Sequence, residues 1–130
     1  MGLEPDAPEL ISPDHRDPRW DDEIDRGIDA WLASGTTALL AHSDREAISL
    51  VARCEERGIR VPDDLAVVAF DDEVAGLANP ALSAVRPAKY TIGESAMQLL
   101  SKRLQDPARP VHRVLISPQL IVRDSSGPRG

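Results

Sequence analysis

Apolar residues at Ile24, Ile28, Trp31 and Leu32 recur at i, i+4, i+7 and i+8, one stripe of an α-helix opening near Trp20. Asp21, Asp22 and Glu23 lie where a helix N-terminus favours negative charge, and Gly35 suits the position just past the end. The period then changes. Residues 37–41 and 65–70 are short runs apolar on both faces, the habit of strands in a parallel sheet covered on both sides. Between them Ser43-Asp44-Arg45-Glu46 reads as a capping box, with Ser43 as N-cap and Glu46 at the third helical position. The helix it opens carries Ala47, Ile48, Leu50, Val51, Ala52 and Cys54 and ends at Gly58. Those positions cover more than one stripe, so this helix either lies deep or meets a partner on its second face. Strand, helix and strand within about 35 residues predict a right-handed βαβ unit.

Further along, residues 82–86 predict another strand, stopped by Pro87. Thr91 and Glu94 suggest a second capping box, opening a helix over 91–104 with Ile92, Ala96, Leu99, Leu100 and Leu104, closed by Asp106-Pro107. Residues 114–116 and 120–122 flank Ser117-Pro118 and read as a late strand with an interruption, because proline is confined to edges and bulges. Ahead of Trp20, Pro5, Pro8, Pro13 and Pro18 predict an irregular leader, with at most a short strand at 9–12. The expected organisation is a leader at 1–20, an α/β unit with a parallel, Rossmann-like sheet over 21–125, and a tail at 126–130.

Composition narrows the function. In 130 residues, 15 Lys and Arg face 22 Asp and Glu, a net charge of −7, which argues against nucleic-acid binding by these residues themselves. The single cysteine, Cys54, excludes an internal disulfide framework and fits a reducing compartment. No apolar run approaches the ~20 residues of a membrane helix. The first residues lack the basic-then-apolar pattern of a secretory signal, so a cytoplasmic place and no membrane contact are expected.

In an open α/β sheet, ligands bind beyond the carboxyl ends of the strands. Polar groups stand there at Asp14-His15, at His42-Ser43-Asp44 and at Asp71-Asp72. Adjacent parallel strands are about 4.8 Å apart, so these groups can converge on one small neutral polyol. Plainer roles stand beside that one: Ser43 as a helix cap, Asp44 as a complement to the helix dipole, and Asp71-Asp72 as turn residues. A serine hydrolase is disfavoured because Ala41 and Arg45 occupy the glycine positions of G-x-S-x-G. His15, His42 and His112 have no zinc-ligand spacing. Asp71 and Asp72 with Asp44 are chemically able to hold Mg²⁺, but no glycine-rich phosphate cradle accompanies them. Arg53, Arg57 and Arg60 interleave with Glu55 and Glu56, the pattern of a solvated helix surface.

The run Thr37-Ala38-Leu39-Leu40-Ala41-His42-Ser43-Asp44 resembles the strand and "ND" segment of the LacI/GalR transcriptional regulators. The likeness continues through Glu56-Arg57-Gly58-Ile59-Arg60-Val61-Pro62-Asp63-Asp64, Val67-Val68-Ala69-Phe70-Asp71-Asp72 and Asn79-Pro80-Ala81-Leu82-Ser83-Ala84-Val85-Arg86. It closes at Ile92-Gly93 and Pro118-Gln119-Leu120-Ile121-Val122-Arg123-Asp124-Ser125. The resemblance implies part of an effector-binding domain similar to periplasmic sugar-binding proteins, in which two Rossmann-like subdomains close around a ligand. It implies no enzyme and no cofactor. It places a sugar-like or nucleoside-like effector against Asp71, Ser43, Asp44 and, at the mouth of the site, His15. The family's asparagine stands as Ser43 in this chain, and a glutamine that some members use after the strand ending at Arg86 stands as Pro87. The helix at 91–104 would cross to the other subdomain. A homodimer is implied too, with Ile48, Leu50, Val51, Cys54, Val74 and Leu77 as its contacts. DNA would be reached only through a helix-turn-helix headpiece that these residues do not include. The rival readings are a ligand-free dimerisation or scaffold fragment and a Mg-dependent α/β enzyme.

Overall fold

The computed structural model describes residues 19–127. Residues 1–18 and 128–130, and with them His15, the possible strand at 9–12 and most of the leader and tail, lie outside the described residues. The elements run α1 (Trp20–Ala33), β1 (Ala38–Leu40), α2 (Asp44–Glu56), β2 (Ala66–Phe70), a single 3₁₀ turn (Ala75–Leu77), β3 (Ser83–Arg86), α3 (Lys89–Gln105) and β4 (Gln119–Ile121). The strands form one sheet in the order β1-β2-β3-β4. The first two pairings are parallel, with Leu40 opposite Val68 and Phe70 opposite Val85. β4 pairs antiparallel to β3, with Ile121 opposite Ala84, so the sheet is mostly rather than wholly parallel.

Local chemistry sets the helix ends. Gly35 and Gly58 adopt φ of +76° and +72° two residues past the ends of α1 and α2, just after the C-caps Ser34 and Arg57, where a Cβ would be strained. The amide of Thr36 reaches the Trp31 carbonyl and that of Ile59 reaches the Cys54 carbonyl, both at 2.9 Å, so both ends are Schellman motifs. Ser43 caps α2 as its sequence predicts, its Oγ accepting from the Glu46 amide at 3.3 Å.

The core lies between one sheet face and the two first helices. Val67, Ala69 and Ala84 of the sheet, Ala47, Leu50, Val51 and Cys54 of α2, and Trp20, Ile24, Ile28 and Trp31 of α1 form one buried cluster. The stripe predicted for α1 is therefore the buried one, except that Leu32 is exposed. Burial of Cys54 pushes its thiol pKa up. Arg53 and Arg57 do not simply face water. Arg53 grips Asp25 of α1 through Nε and Nη2 at 2.8 and 2.5 Å, Arg57 bonds Asp29, and the two helices are clamped together. On the other side of the sheet, Leu40 and Leu120 are exposed.

Two expectations change. Thr91 is not a cap: α3 starts at Lys89, behind Ala88, with no side-chain cap. The helix begins where the chain leaves β3, and Lys89 is held there by Glu73 at 2.6 Å. Residues 114–116 form no strand, because no other strand lies beside them among the described residues; only Gln119–Ile121 finds a partner, β3. α3 itself buries none of its residues. The segment after β4 laces the sheet instead. Ser125 Oγ donates to the Val67 carbonyl at 2.5 Å and accepts from the Ser83 amide at 2.9 Å, while Ser83 Oγ accepts from the Arg123 amide at 2.7 Å.

Candidate functional site

The carboxyl ends of β1, β2 and β3 carry Ser43 and Asp44, then Asp71, Asp72 and Glu73, then Arg86 and Lys89. These three strands are neighbours, so residues 42–44 and 71–72, two of the groups singled out in sequence, share one edge of the sheet. The three aspartates there have different surroundings.

Asp71 directly follows β2 in a left-handed conformation, φ +102°, with its amide bonded to the Val85 carbonyl at 2.9 Å. Its side chain is 38% exposed, and Lys89 Nζ lies 3.3 Å from Oδ1. Lys89 is shared with Glu73, and the hydrogen bond to Glu73, followed by that to Asp71, raises its pKa. The pair Asp71–Lys89 thus offers both an acceptor and a donor at the mouth of the sheet edge.

Asp72 follows at φ +54°, and its side chain is only 1% exposed. Arg123 Nη1 bonds one oxygen at 2.6 Å and Arg86 Nε bonds the other at 2.6 Å. These bonds, that from Arg123 foremost, hold the Asp72 carboxyl below the usual carboxylate range. Asp72 is a structural ion-pair residue.

Asp44 departs furthest from its expected ligand contact. It is 3% exposed, and its carboxylate accepts from four consecutive backbone amides, Asp72 at 3.1, Glu73 at 2.5, Val74 at 2.8 and Ala75 at 3.2 Å. With Asp44 bound to amides and Asp72 to guanidinium groups, the carboxylates that the magnesium reading calls for are already taken. Ser43 is half-buried and its hydroxyl caps α2, while His42 beside it is exposed.

The expected dimer contacts also divide. Leu50, Val51 and Cys54 belong to the core shared with α1 and the sheet, so their side chains are buried within the chain itself. Ile48 is half-buried against that core, Val74 is half-buried, and Leu77 is 85% exposed. Sequence reasoning missed Arg86, Lys89 and Arg123 altogether. The available signal was one of charge: two arginines and a lysine close to strand ends, opposite an Asp-Asp-Glu run. A separate pocket of about 400 Å³, lined by Leu99, Arg103, Arg109 and His112 among others, lies on α3 and the segment after it and shares no residue with the strand ends.

Residues 7–126 match the family model of a periplasmic binding protein-like domain. Over 90 residues the chain is 30% identical to an HTH-type transcriptional repressor, PurR, of Vibrio vulnificus (strain CMCP6), an alignment covering 68% of this chain and 27% of that one. It is 29% identical over 102 residues to a ribose operon repressor of Haemophilus influenzae, covering 76% of this chain and 31% of the relative. Among solved structures it is similar to a complex of the transcriptional regulator CelR with cellobiose, with a TM-score of 0.72 and 28% identity over 82% of this chain and 32% of that one. The chain therefore spans about a third or less of the length of each of these proteins.

Proposed function

Because the chain belongs to the periplasmic binding protein-like domain family and carries part of the effector-domain fold of LacI-type transcriptional regulators, we propose that it is the effector-sensing portion of such a regulator. The effector is a neutral polyol of the sugar or nucleoside class, bound beyond the carboxyl ends of β1 and β2. The observation that carries this reading is Asp71. Of the three aspartates at the sheet edge it alone keeps a side chain open to solvent, at the end of a central parallel strand. A carboxylate accepts two sugar hydroxyls readily, and the adjacent Lys89 supplies a donor. Ser43 and His15 remain proposed lesser contacts. The regulator as a whole acts in the cytoplasm, reaches DNA through a separate headpiece, needs no cofactor and is not an enzyme.

The bare helix α3 supports a crossing to a second subdomain. A 17-residue helix that buries none of its residues lacks the packing of an apolar face from which most helices in proteins draw their stability. Its exposed Met97, Leu100 and Leu104 suit the second wall of a clamshell. A dimer surface, if it follows the resemblance, is left with Ile48, Val74 and Leu77.

Thermal unfolding of the full chain with cellobiose, D-ribose, sucrose and guanosine tests the reading. A ligand present at a hundred times its Kd stabilises the native state by about 2.7 kcal/mol, which raises the melting midpoint. A rise in the wild-type chain that Asp71→Ala abolishes supports the proposal. A flat response to all four compounds transfers the chain to the dimerisation or scaffold class.

A further inference from the structure

An acid at the first position of a helix ordinarily faces water and lends only its charge to the helix N-terminus. Asp44 holds that position in α2, yet it is 3% exposed, and the cap itself is made by Ser43. Its Oδ1 accepts from the Asp72 amide and its Oδ2 from the amides of Glu73, Val74 and Ala75. Four consecutive amides converging on one carboxylate form a backbone nest wrapped around an anion supplied by the protein itself. Successive amides point the same way only if the chain curls, and the curl starts at Asp71 and Asp72, whose φ values are +102° and +54°. Left-handed backbone is unfavourable for a residue with a Cβ and persists only where its surroundings over-determine it. Here the Asp71 amide is pinned to β3 through the Val85 carbonyl, and Asp44 gathers the amides that follow. The dependence runs both ways, because a buried carboxylate is costly unless it is hydrogen-bonded.

We propose that Asp44 is the positioning residue of the effector site: it does not touch the ligand, and its carboxylate holds residues 71–75 in the curl that presents Asp71 at the sheet edge. The proposal rests on the reading of Asp71 given above. It also accounts for an acid directly after the capping serine, a place where the helix alone is content with many residue types.

Amide hydrogen exchange on the full chain, read residue by residue by NMR, tests it in wild type, Asp44→Asn and Asp71→Ala. Asparagine keeps the size of aspartate but brings an NH₂ donor to a ring of donors. In Asp44→Asn the amides of residues 72–75 exchange at least tenfold faster, while those of Val67 and Ala69 in β2 keep wild-type rates. Asp71→Ala leaves the loop amides protected. Cellobiose and D-ribose titrated into the same samples bind Asp44→Asn at least tenfold more weakly than wild type. Loop amides as slow in Asp44→Asn as in wild type overturn the proposal. So does acceleration of Val67 and Ala69 equal to that of the loop, which marks a role in overall stability alone. If Asp44→Asn does not fold, Asp44→Ala is measured in sodium formate and in sodium chloride of equal ionic strength. Formate, and not chloride, restores protection of residues 72–75 by filling the nest; equal protection in both salts overturns the proposal. Failure of both sugars to bind the wild-type chain counts against the effector reading and leaves the exchange pattern to decide whether Asp44 holds the loop; a sugar that binds wild type and Asp44→Asn equally overturns the positioning role.

Discussion

Arg123 Nη1 lies 2.6 Å from Asp72 Oδ1 and 2.7 Å from the Leu82 carbonyl, so one guanidinium joins the loop after β2 to the segment after β4. Arg86 completes the group from the end of β3, with Nε 2.6 Å from Asp72 Oδ2. A side chain 1% exposed keeps its charge only while these partners stay. Arg123→Met keeps the aliphatic stem but removes one of the two cations and the bond to Leu82. The expected loss is about 3 kcal/mol, the lower end of the range for breaking a buried pair, because Arg86 remains. Urea unfolding measures it, and a loss under about 1 kcal/mol, the value of an exposed pair, contradicts the buried geometry.

The same group sets the acid response. Arg123 and Arg86 hold the Asp72 pKa below its ordinary value in the fold, so the unfolded chain binds the extra proton first. The stability that Asp72 contributes is fully present above an ordinary carboxylate pKa, near pH 4, and is lost as pH falls through its lower folded value. Asp64, lowered to about 2 by the Arg60 hydrogen bond, acts with the same sign but is exposed to screening solvent. Asp72→Asn is therefore less stable than wild type at pH 6, and the gap narrows toward pH 3. A gap of constant size across that interval refutes the assignment.

What sequence made legible was what neighbouring residues encode among themselves. The Ile24, Ile28 and Trp31 spacing, the glycines at 35 and 58 and the Ser43 cap are each settled within a few residues, and each stands in the structure. Thr91 and Glu94 have the spacing of a capping box, but that pattern also fits a helix interior, and the exit from β3 at Arg86 set the start of α3 instead. The apolar surface of α2 was visible, but not that Leu50, Val51 and Cys54 are buried in a core shared with α1 and the sheet of the same chain. At the sheet edge the acids were found, but their roles were not. Separating Asp71 from Asp72 and Asp44 requires contacts spanning 28 to 51 residues, which no local pattern carries.

Ser43 gives a sharper local test. Ser43→Ala removes the acceptor for the Glu46 amide and lowers stability by about 1 kcal/mol, while Ser43→Asn, an equally good N-cap, stays within a few tenths of wild type. Denaturant midpoints at unchanged m-values report both. An equal loss in the two variants indicates that the serine acts through packing rather than through its cap.

Leu50 and Leu77 separate folding from association. Leu50 is 4% exposed in the buried cluster, whereas Leu77 is 85% exposed in the 3₁₀ turn after the Asp44-held loop. Leu50→Ala opens a cavity in the core and costs about 2–5 kcal/mol, with no change in the sedimentation coefficient of the folded protein. Leu77→Asp leaves the denaturant midpoint of dilute chain near wild type, since an exposed site away from special contacts shifts stability by only about 0.5 kcal/mol. If Leu77 faces a second copy, the same change desolvates a charge at that contact, and the sedimentation coefficient falls to that of a monomer across a concentration series. A wild-type chain that sediments as a monomer at every concentration removes Leu77, with Ile48 and Val74, from the role of dimer contacts in this chain.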